Sequence, residues 1–381
     1  IQMALFAAGV ATIIQTVGYK NIGARLPIIQ GTSFAFIPIM LPFKAFGLGA
    51  IFTAAFIGGI FQIWIGKMLK PIRHMFPPLV TGVVVLMIGF SLLKVGFKYA
   101  GGGVWLMNNK PEIFANWHHL TIAGTVLIVA LFTNLKGKGM VSAASILIGI
   151  IAGFIVAAVL GEIRWGKIAA ADWFAFPMPL QYGIDFVWGA VILMLFMSVV
   201  TTIETIGDIS ATTMGGANRE ATDKELSGGI MADGVGTAFA SIFNAMPNTS
   251  YSQNAGLVAF TGVISRHVGT VAGVILILLG LFPKLGGIIA AMPDSVIGGA
   301  AIIMFGLIAG AGIKLISKSE MSQRNVLILA LSLSFGIGLY AFPEFVAHMP
   351  DFGIKLRLLL TTGLIPAGLL AFILNATLPK K

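Results

Sequence analysis

Long apolar runs, broken by glycine and proline and separated by short polar intervals, fill the chain from end to end. They predict thirteen hydrophobic elements, at approximately 1–18, 28–43, 45–68, 75–99, 119–134, 141–161, 186–214, 226–244, 248–265, 268–290, 294–316, 324–343 and 353–377. Most approach the roughly 20 residues that a helix needs to cross a bilayer. Two of them, 28–43 and 248–265, are broken. The second opens with Asn248-Thr-Ser-Tyr-Ser-Gln-Asn254, a polar stretch in a chain otherwise built for lipid. Non-helical backbone survives at membrane depth only when it is buried in protein or lines a cavity. In secondary transporters such broken segments mark the substrate site.

The pattern repeats. Gly31-Thr-Ser-Phe-Ala-Phe36 echoes Asn248-Thr-Ser-Tyr-Ser-Gln253 at an offset of 217, and Met75-Phe-Pro-Pro-Leu-Val-Thr-Gly82 echoes Ala291-Met-Pro-Asp-Ser-Val-Ile-Gly298 at 216. Seven elements separate the paired landmarks. An odd number turns the second copy over in the membrane, so the repeats are inverted and the site is expected at their interface. Subtracting 217 from the element at 186–214 gives a position before residue 1. The first repeat is therefore expected to lack its first helix, and the complete fold to have seven plus seven spans, thirteen of them here.

Composition agrees with a polytopic membrane protein. The chain is 57% hydrophobic and only 10% charged, with a mean hydropathy of +0.96, whereas soluble domains average about 25% charged residues. Its 48 glycines suit close helix packing in lipid. The net charge of +10 is read as positive-inside loops rather than nucleic-acid binding, since no basic run is interleaved with aromatics. Placing the loop after the first element in the cytoplasm puts 15 of the 24 Lys and Arg residues inside, and the C-terminus with them. The polar insert at about 162–185 carries Trp165 and Trp173, as an interfacial segment does.

Few residues carry chemistry. Glu204 and Asp208 lie four apart on one helix face. A membrane carboxylate costs roughly 2.5–3.5 kcal/mol at a helix centre, so it needs a reason. The alternative is a solvated position near the helix end, because the apolar run 186–203 stops just before Glu204. Asp233 lies mid-element, either as a structural acceptor of backbone N–H groups or as a proton-linked residue. Gln253 and Asn254 open a short helix; their amides suit a planar ligand with alternating donors and acceptors, or simply cap the helix. Ser33 and Phe34 hold the corresponding place in the other broken element, where Phe34 would stack on a ring or merely pack. Cysteine is absent, and the histidines at 74, 118, 119, 267 and 348 show no metal spacing. No phosphate-binding loop or nucleophile motif occurs, so no cofactor, metal or enzyme activity is expected.

The run Gln253-Asn254-Ala255-Gly256, four residues and then Thr261-Gly262 resembles the signature of the nucleobase–ascorbate transporter family, also called the second nucleobase–cation symporter family. Glu204-Thr-Ile-Gly-Asp208, Ala232-Asp-Gly234 and Thr32-Ser-Phe34 extend the resemblance across nearly the whole chain. It implies an all-α inverted-repeat transporter whose two broken segments contain short strands. A core domain (1–73 and 186–293) would move against a gate domain (74–185 and 294–381), which also forms a homodimer. By the same resemblance Glu204 is the carboxylate that binds the base and Gln253 the specificity-determining amide, with Ser252, Ser33 and Phe34 as further substrate contacts. Asp208, Asp233 and Asn254 would belong to the coupling machinery.

Glutamine at the first motif position is associated in that family with xanthine and uric acid. The expected function is therefore proton symport of a purine, xanthine foremost, across a bacterial inner membrane by alternating access. Glu204 or Asp233 would carry the proton. A uracil or other nucleobase permease, or an anion exchanger of the sulfate-transporter type, remains as an alternative; the carboxylate at Glu204 argues against the anion exchanger.

Overall fold

In lipid the backbone must satisfy its own N–H and C=O groups, and apolar runs of this length do so as helices. The computed structural model describes residues 1–68, 77–347, 357 and 360–379, with the side chains among them except those of Lys44, Gln253, Ala259 and Phe260. The principal helices are α1 (Gln2–Val17), α2 (Leu48–Lys67), α3 (Pro78–Ala100), α4 (Trp117–Lys136), α5 (Ser145–Val159), α6 (Trp188–Ala217), α7 (Asp223–Ile242), α8 (Ser252–Thr261), α9 (Arg266–Gly280), α10 (Pro283–Ala291), α11 (Asp294–Ile316), α12 (Gln323–Ala341) and α13 (Leu364–Thr377). Strands β1 (Gln30–Thr32) and β2 (Asn248–Ser250) form a two-stranded antiparallel sheet. Among the described residues, α2, α3, α4, α6, α11 and α12 are long and apolar enough to cross a bilayer alone. The element expected over 268–290 is two helices, because the chain breaks before Pro283, which has no N–H to continue the ladder. Residues 75–76, His74 and His348 lie outside the described residues, as does most of the stretch before α13.

Repeat geometry is visible in the hydrogen bonds. Helices α3 and α11 are both 23 residues long and start 216 apart. The strands pair Gln30 with Ser250, Gly31 with Thr249 and Thr32 with Asn248. Just beyond them Ser33 N–H donates to the Pro247 carbonyl and Tyr251 N–H to the Ile29 carbonyl, both at 3.0 Å. An offset of 218 maps each bond onto the other, one more than the 217 of the sequence echo. A one-residue slip matters in a strand because it exchanges the two faces. Ser33 therefore corresponds to Tyr251, and Phe34 to Ser252.

Each strand is also held by a threonine of the helix before it. Thr12 of α1 accepts from Gln30 N–H (3.0 Å) and donates to its carbonyl (3.3 Å). Thr237 of α7 does the same with Asn248, at 3.2 and 2.9 Å. These threonines are 225 apart, so the α1–β1 connection is seven residues longer than the α7–β2 one. Glycine pairs repeat the relation: a Cβ on Gly9 would stand 2.5 Å from the Gly273 carbonyl, and one on Gly59 2.6 Å from that of Gly234. α1 thus packs on α9 as α7 packs on α2, backbone against backbone.

The chain divides into two compact units, Ile1–Met87 with Ala175–Phe282 and Gly312–Lys381, and Ile88–Phe174 with Pro283–Ala311. In the first, Ala24, Leu26 and Ile28 of the long α1–β1 connection pack with Ile65, Ile209, Leu226 and Ile230. In the second, Ile122 and Val126 of α4 pack with Ala157, Val296 and Ala300.

Candidate substrate site

The candidate substrate and coupling residues of the sequence, Ser33, Phe34, Glu204, Asp208, Asp233, Ser252, Gln253 and Asn254, all fall in the first unit, on or next to the elements that carry β1 and β2. Asp233 is its hub. The side chain is fully buried on α7. It accepts from the Gln30 amide on β1, from the Thr205 hydroxyl on α6 and from Ser250 on β2 (3.0 Å). One carboxylate thereby joins two helices and both strands. The repeat-related position on α1 is Ala8, so the hub exists once. Gln15 of α1, also fully buried, extends the network: its amide reaches Ser250 at 3.5 Å and accepts Ala24 N–H at 3.2 Å.

Glu204 sits inside α6, with thirteen helical residues after it, rather than at the helix end. It is half-buried, and among the described residues it makes no hydrogen bond or ion pair. Asp208, one turn on, is 7% exposed and lies beside Ser252, with its Oδ2 unpartnered. Around these carboxylates the helix is held by buried hydroxyls: Thr201 and Thr202 bond back to the carbonyls of residues 197 and 198 at 3.0 and 2.7 Å, and the single Thr205 proton is shared between the Thr201 carbonyl (2.9 Å) and Asp233.

Opposite α6 stands the start of α8. Its first residue, Ser252, is exposed, and Tyr251 before it provides no side-chain cap. Uncapped N–H groups and the helix dipole favour a carbonyl or partial negative charge there. Asn254 faces away, donating its amide to the Pro27 carbonyl, and so fixes α8 to the segment before β1. The side chain of Gln253 lies outside the described ones; its backbone occupies the first turn of α8.

On the other strand, the buried Ser33 hydroxyl accepts Ala35 N–H at 3.2 Å and caps the turn Phe34–Phe36. That leaves Phe34 as the exposed side chain of this segment, at 38%. The Tyr251 ring covers Gly31, where an added Cβ would be 2.4 Å from the phenol oxygen, and its hydroxyl donates to the Thr32 carbonyl at 3.2 Å. Gly207, one turn after Glu204, and Gly256, one turn into α8, both face open space. The carboxylates of α6, the uncapped start of α8 and the exposed Phe34 thus all belong to elements that meet at the strand crossing.

Sequence reasoning named the carboxylates but missed Gln30, Thr205 and Ser250 as partners of Asp233. The signal was there in part, since Gln15 and Gln30 are polar residues in apolar surroundings.

Residues 1–345 match Xan_ur_permease, the Permease family. The chain belongs to that family. A putative purine permease of Clostridium perfringens is 38% identical over 381 residues, covering 100% of this chain and 82% of that protein. Xanthine permease XanP of Escherichia coli K12 is 34% identical over 395 residues (100% and 84%), and uric acid permease PucJ of Bacillus subtilis 34% over 375 (97% and 82%). Among solved structures, the transmembrane domain of a cyanobacterial bicarbonate transporter, BicA, aligns with a TM-score of 0.59 at 18% identity, over 96% of this chain and 93% of that one. The murine anion transporter Slc26a9 aligns at 0.57 and 14% identity, over 95% and 64%. At such identities these two share the fold and nothing finer. The protein is thus a multi-pass membrane permease with an inverted-repeat fold.

Proposed function

We propose that this permease imports a purine nucleobase, xanthine foremost and uric acid as a further substrate, with a proton. The observation that carries the reading is Glu204, a half-buried carboxylate that makes no hydrogen bond or ion pair among the described residues and lies one turn from Asp208, which stands beside Ser252 at the uncapped N-terminus of α8. A xanthine ring offers paired N–H and C=O groups on its edges. Glu204 would accept ring N–H groups, the start of α8 with Ser252 and Gln253 would meet a carbonyl edge, and Phe34 would stack on the ring face, with Ser33 holding Phe34 in place. A site built on such pairs rejects analogues that leave them unmade. The names of the curated relatives support the substrate class.

The hydrogen bonds favour dividing the carboxylates by role. Asp233 is already supplied with donors from three elements, which suits a constant charge state and a mechanical task, that of moving the strands with α6 and α7. Among the described residues Glu204 has no such donors, and it is the residue we assign to the travelling proton, with Asp208 one turn away. Asn254 would transmit motion from α8 to the α1–β1 connection. Core (1–73, 186–293) and gate (74–185, 294–381) would alternate access across a bacterial inner membrane, the C-terminus lying inside and the gate mediating a dimer. Uptake of radiolabelled xanthine into cells expressing the protein, with and without a protonophore, tests this. Accumulation abolished by the protonophore is expected; accumulation that survives it overturns proton coupling, and no xanthine uptake at all overturns the substrate.

A further inference from the structure

Away from the strand crossing, the first unit contains a cavity of about 290 Å³. Its walls are Phe52 and Phe56 of α2, Leu180 and Ile184 of the segment leading into α6, and Ile242 at the end of α7. That segment is a strap. Leu180 N–H donates to the Ile242 carbonyl at 2.8 Å, and Asp185 N–H to the Thr53 hydroxyl at 3.2 Å. Asn244, in a left-handed conformation, grips it from both sides, accepting Gln181 N–H at 3.0 Å and donating to the Met178 carbonyl at 2.7 Å. The ring of Tyr182 packs on Phe52 with centroids 5.8 Å apart.

The polar atoms in this wall are already engaged. Both ends of the Asn244 amide and the Thr53 hydroxyl hold the strap, and the Ser241 hydroxyl bonds back to the Thr237 carbonyl at 2.8 Å. Among the described side chains only the Thr53 hydroxyl hydrogen is without an acceptor here, and the wall is otherwise hydrocarbon, which favours an apolar occupant. The volume holds a stretch of hydrocarbon, since a cavity of about 150 Å³ admits benzene, but no headgroup. The cavity also continues an apolar stripe: Phe56, Ile60 and Trp64 lie four residues apart on α2 and are 37%, 50% and 51% exposed. On a membrane-spanning helix such a stripe meets lipid. Beyond Ile184, exposed Phe186 and Trp188 pack edge to face at 4.8 Å, as the aromatic residues of an interfacial belt do.

We propose that this cavity takes one acyl chain of a bilayer phospholipid, held between α2, α7 and the strap. Asp185, whose N–H is bonded to the Thr53 hydroxyl of this wall, places a carboxylate beside the cavity and disfavours an anionic headgroup; the lipid is an aminophospholipid of the phosphatidylethanolamine kind. Because the strap runs directly into α6, the bound chain would steady the helix that carries Glu204. The binding itself does not depend on what the permease transports.

The test is photolabelling. The full chain is reconstituted in vesicles of phosphatidylethanolamine carrying a diazirine midway along one acyl chain, irradiated, and the labelled peptides are mapped. Labelling of residues 180–184 and 242–244 should exceed that of the annular control positions Ile60 and Trp64 several-fold. Ile242→Trp, which fills the cavity, should cut strap labelling at least fivefold and leave the control positions unchanged; Ser241→Leu serves the same purpose if the first variant fails to reach the membrane. Strap labelling no greater than at Ile60, or indifferent to both fillings, overturns the site. Displacement of the label by low concentrations of benzene without effect elsewhere would make it a small-solute cavity and likewise overturn the proposal. Stronger labelling by the phosphatidylglycerol analogue would overturn the headgroup assignment.

Discussion

Gln30 donates its side-chain amide to Asp233, and this bond joins the strand of the first repeat to a helix of the second. Gln30→Leu removes it and leaves Asp233 Oδ1 with Ser250 alone. Losing a hydrogen bond to a charged group costs about 1.5–3 kcal/mol. The purified variant should melt several degrees below the parent. An unchanged melting temperature would show that water or another donor replaces the amide freely.

Asp233→Asn keeps the shape and one acceptor oxygen, enough for Gln30 and Ser250, and turns an NH2 toward the Thr205 hydroxyl, whereas Asp233→Leu removes the bonds to Gln30, Thr205 and Ser250 together. Membrane abundance should fall sharply only for the leucine form. If Asp233→Asn still binds xanthine but cannot accumulate it, the residue also serves coupling; accumulation at the parent level confines it to structure.

Glu204→Gln should insert normally and lose pH-driven accumulation, because among the described residues no hydrogen bond or ion pair depends on its charge. The measurement is uptake into proteoliposomes under an imposed pH gradient. Full accumulation would sink the role assigned to Glu204.

Gln253→Glu replaces an amide that donates and accepts with a group that, when ionised, only accepts. Xanthine affinity should drop and uracil-like ligands should gain, with folding unchanged. Unaltered affinities for both would reduce Gln253 to a residue of the helix start.

Thr12→Val and Thr237→Val each remove one hydroxyl that both accepts from and donates to the first residue of a strand. The two losses should be similar, roughly 1–3 kcal/mol, and should add in the double variant if the sites are independent. Thermal melts of the four proteins check this. Strongly unequal losses would mean that the strands are not equivalently supported.

Gross architecture was legible because hydropathy and glycine spacing are local and strong. The start of α11 was read at Asp294, and the broken segments at 28–43 and 248–265 each contain a strand. The register was not legible. Thr-Ser recurs at 217 while the hydrogen bonds repeat at 218, and only an explicit pairing can tell one from the other. Interactions across the strand crossing were also hidden: nothing in the sequence around Gln30 says that a carboxylate 203 residues later will receive its amide. Asp233 itself stood out, because a lone acid in an apolar helix is costly and therefore visible. Asn254 was placed correctly at a helix start, but its side chain turns back to Pro27 rather than to the N–H groups of its own helix.

The pairing of β1 with β2 also constrains how the protein is made. Residues 30 and 248 belong to opposite halves, so the first strand has no partner until 218 further residues have been synthesised. At about 5–20 residues per second, translation takes roughly ten to forty seconds to deliver them. Throughout that interval the nascent first half sits in the membrane with an open strand edge and a buried glutamine awaiting its acid. Neither strand can complete its pairing within its own half, so the ladder and the Gln30–Asp233 bond close only after the second half has been made.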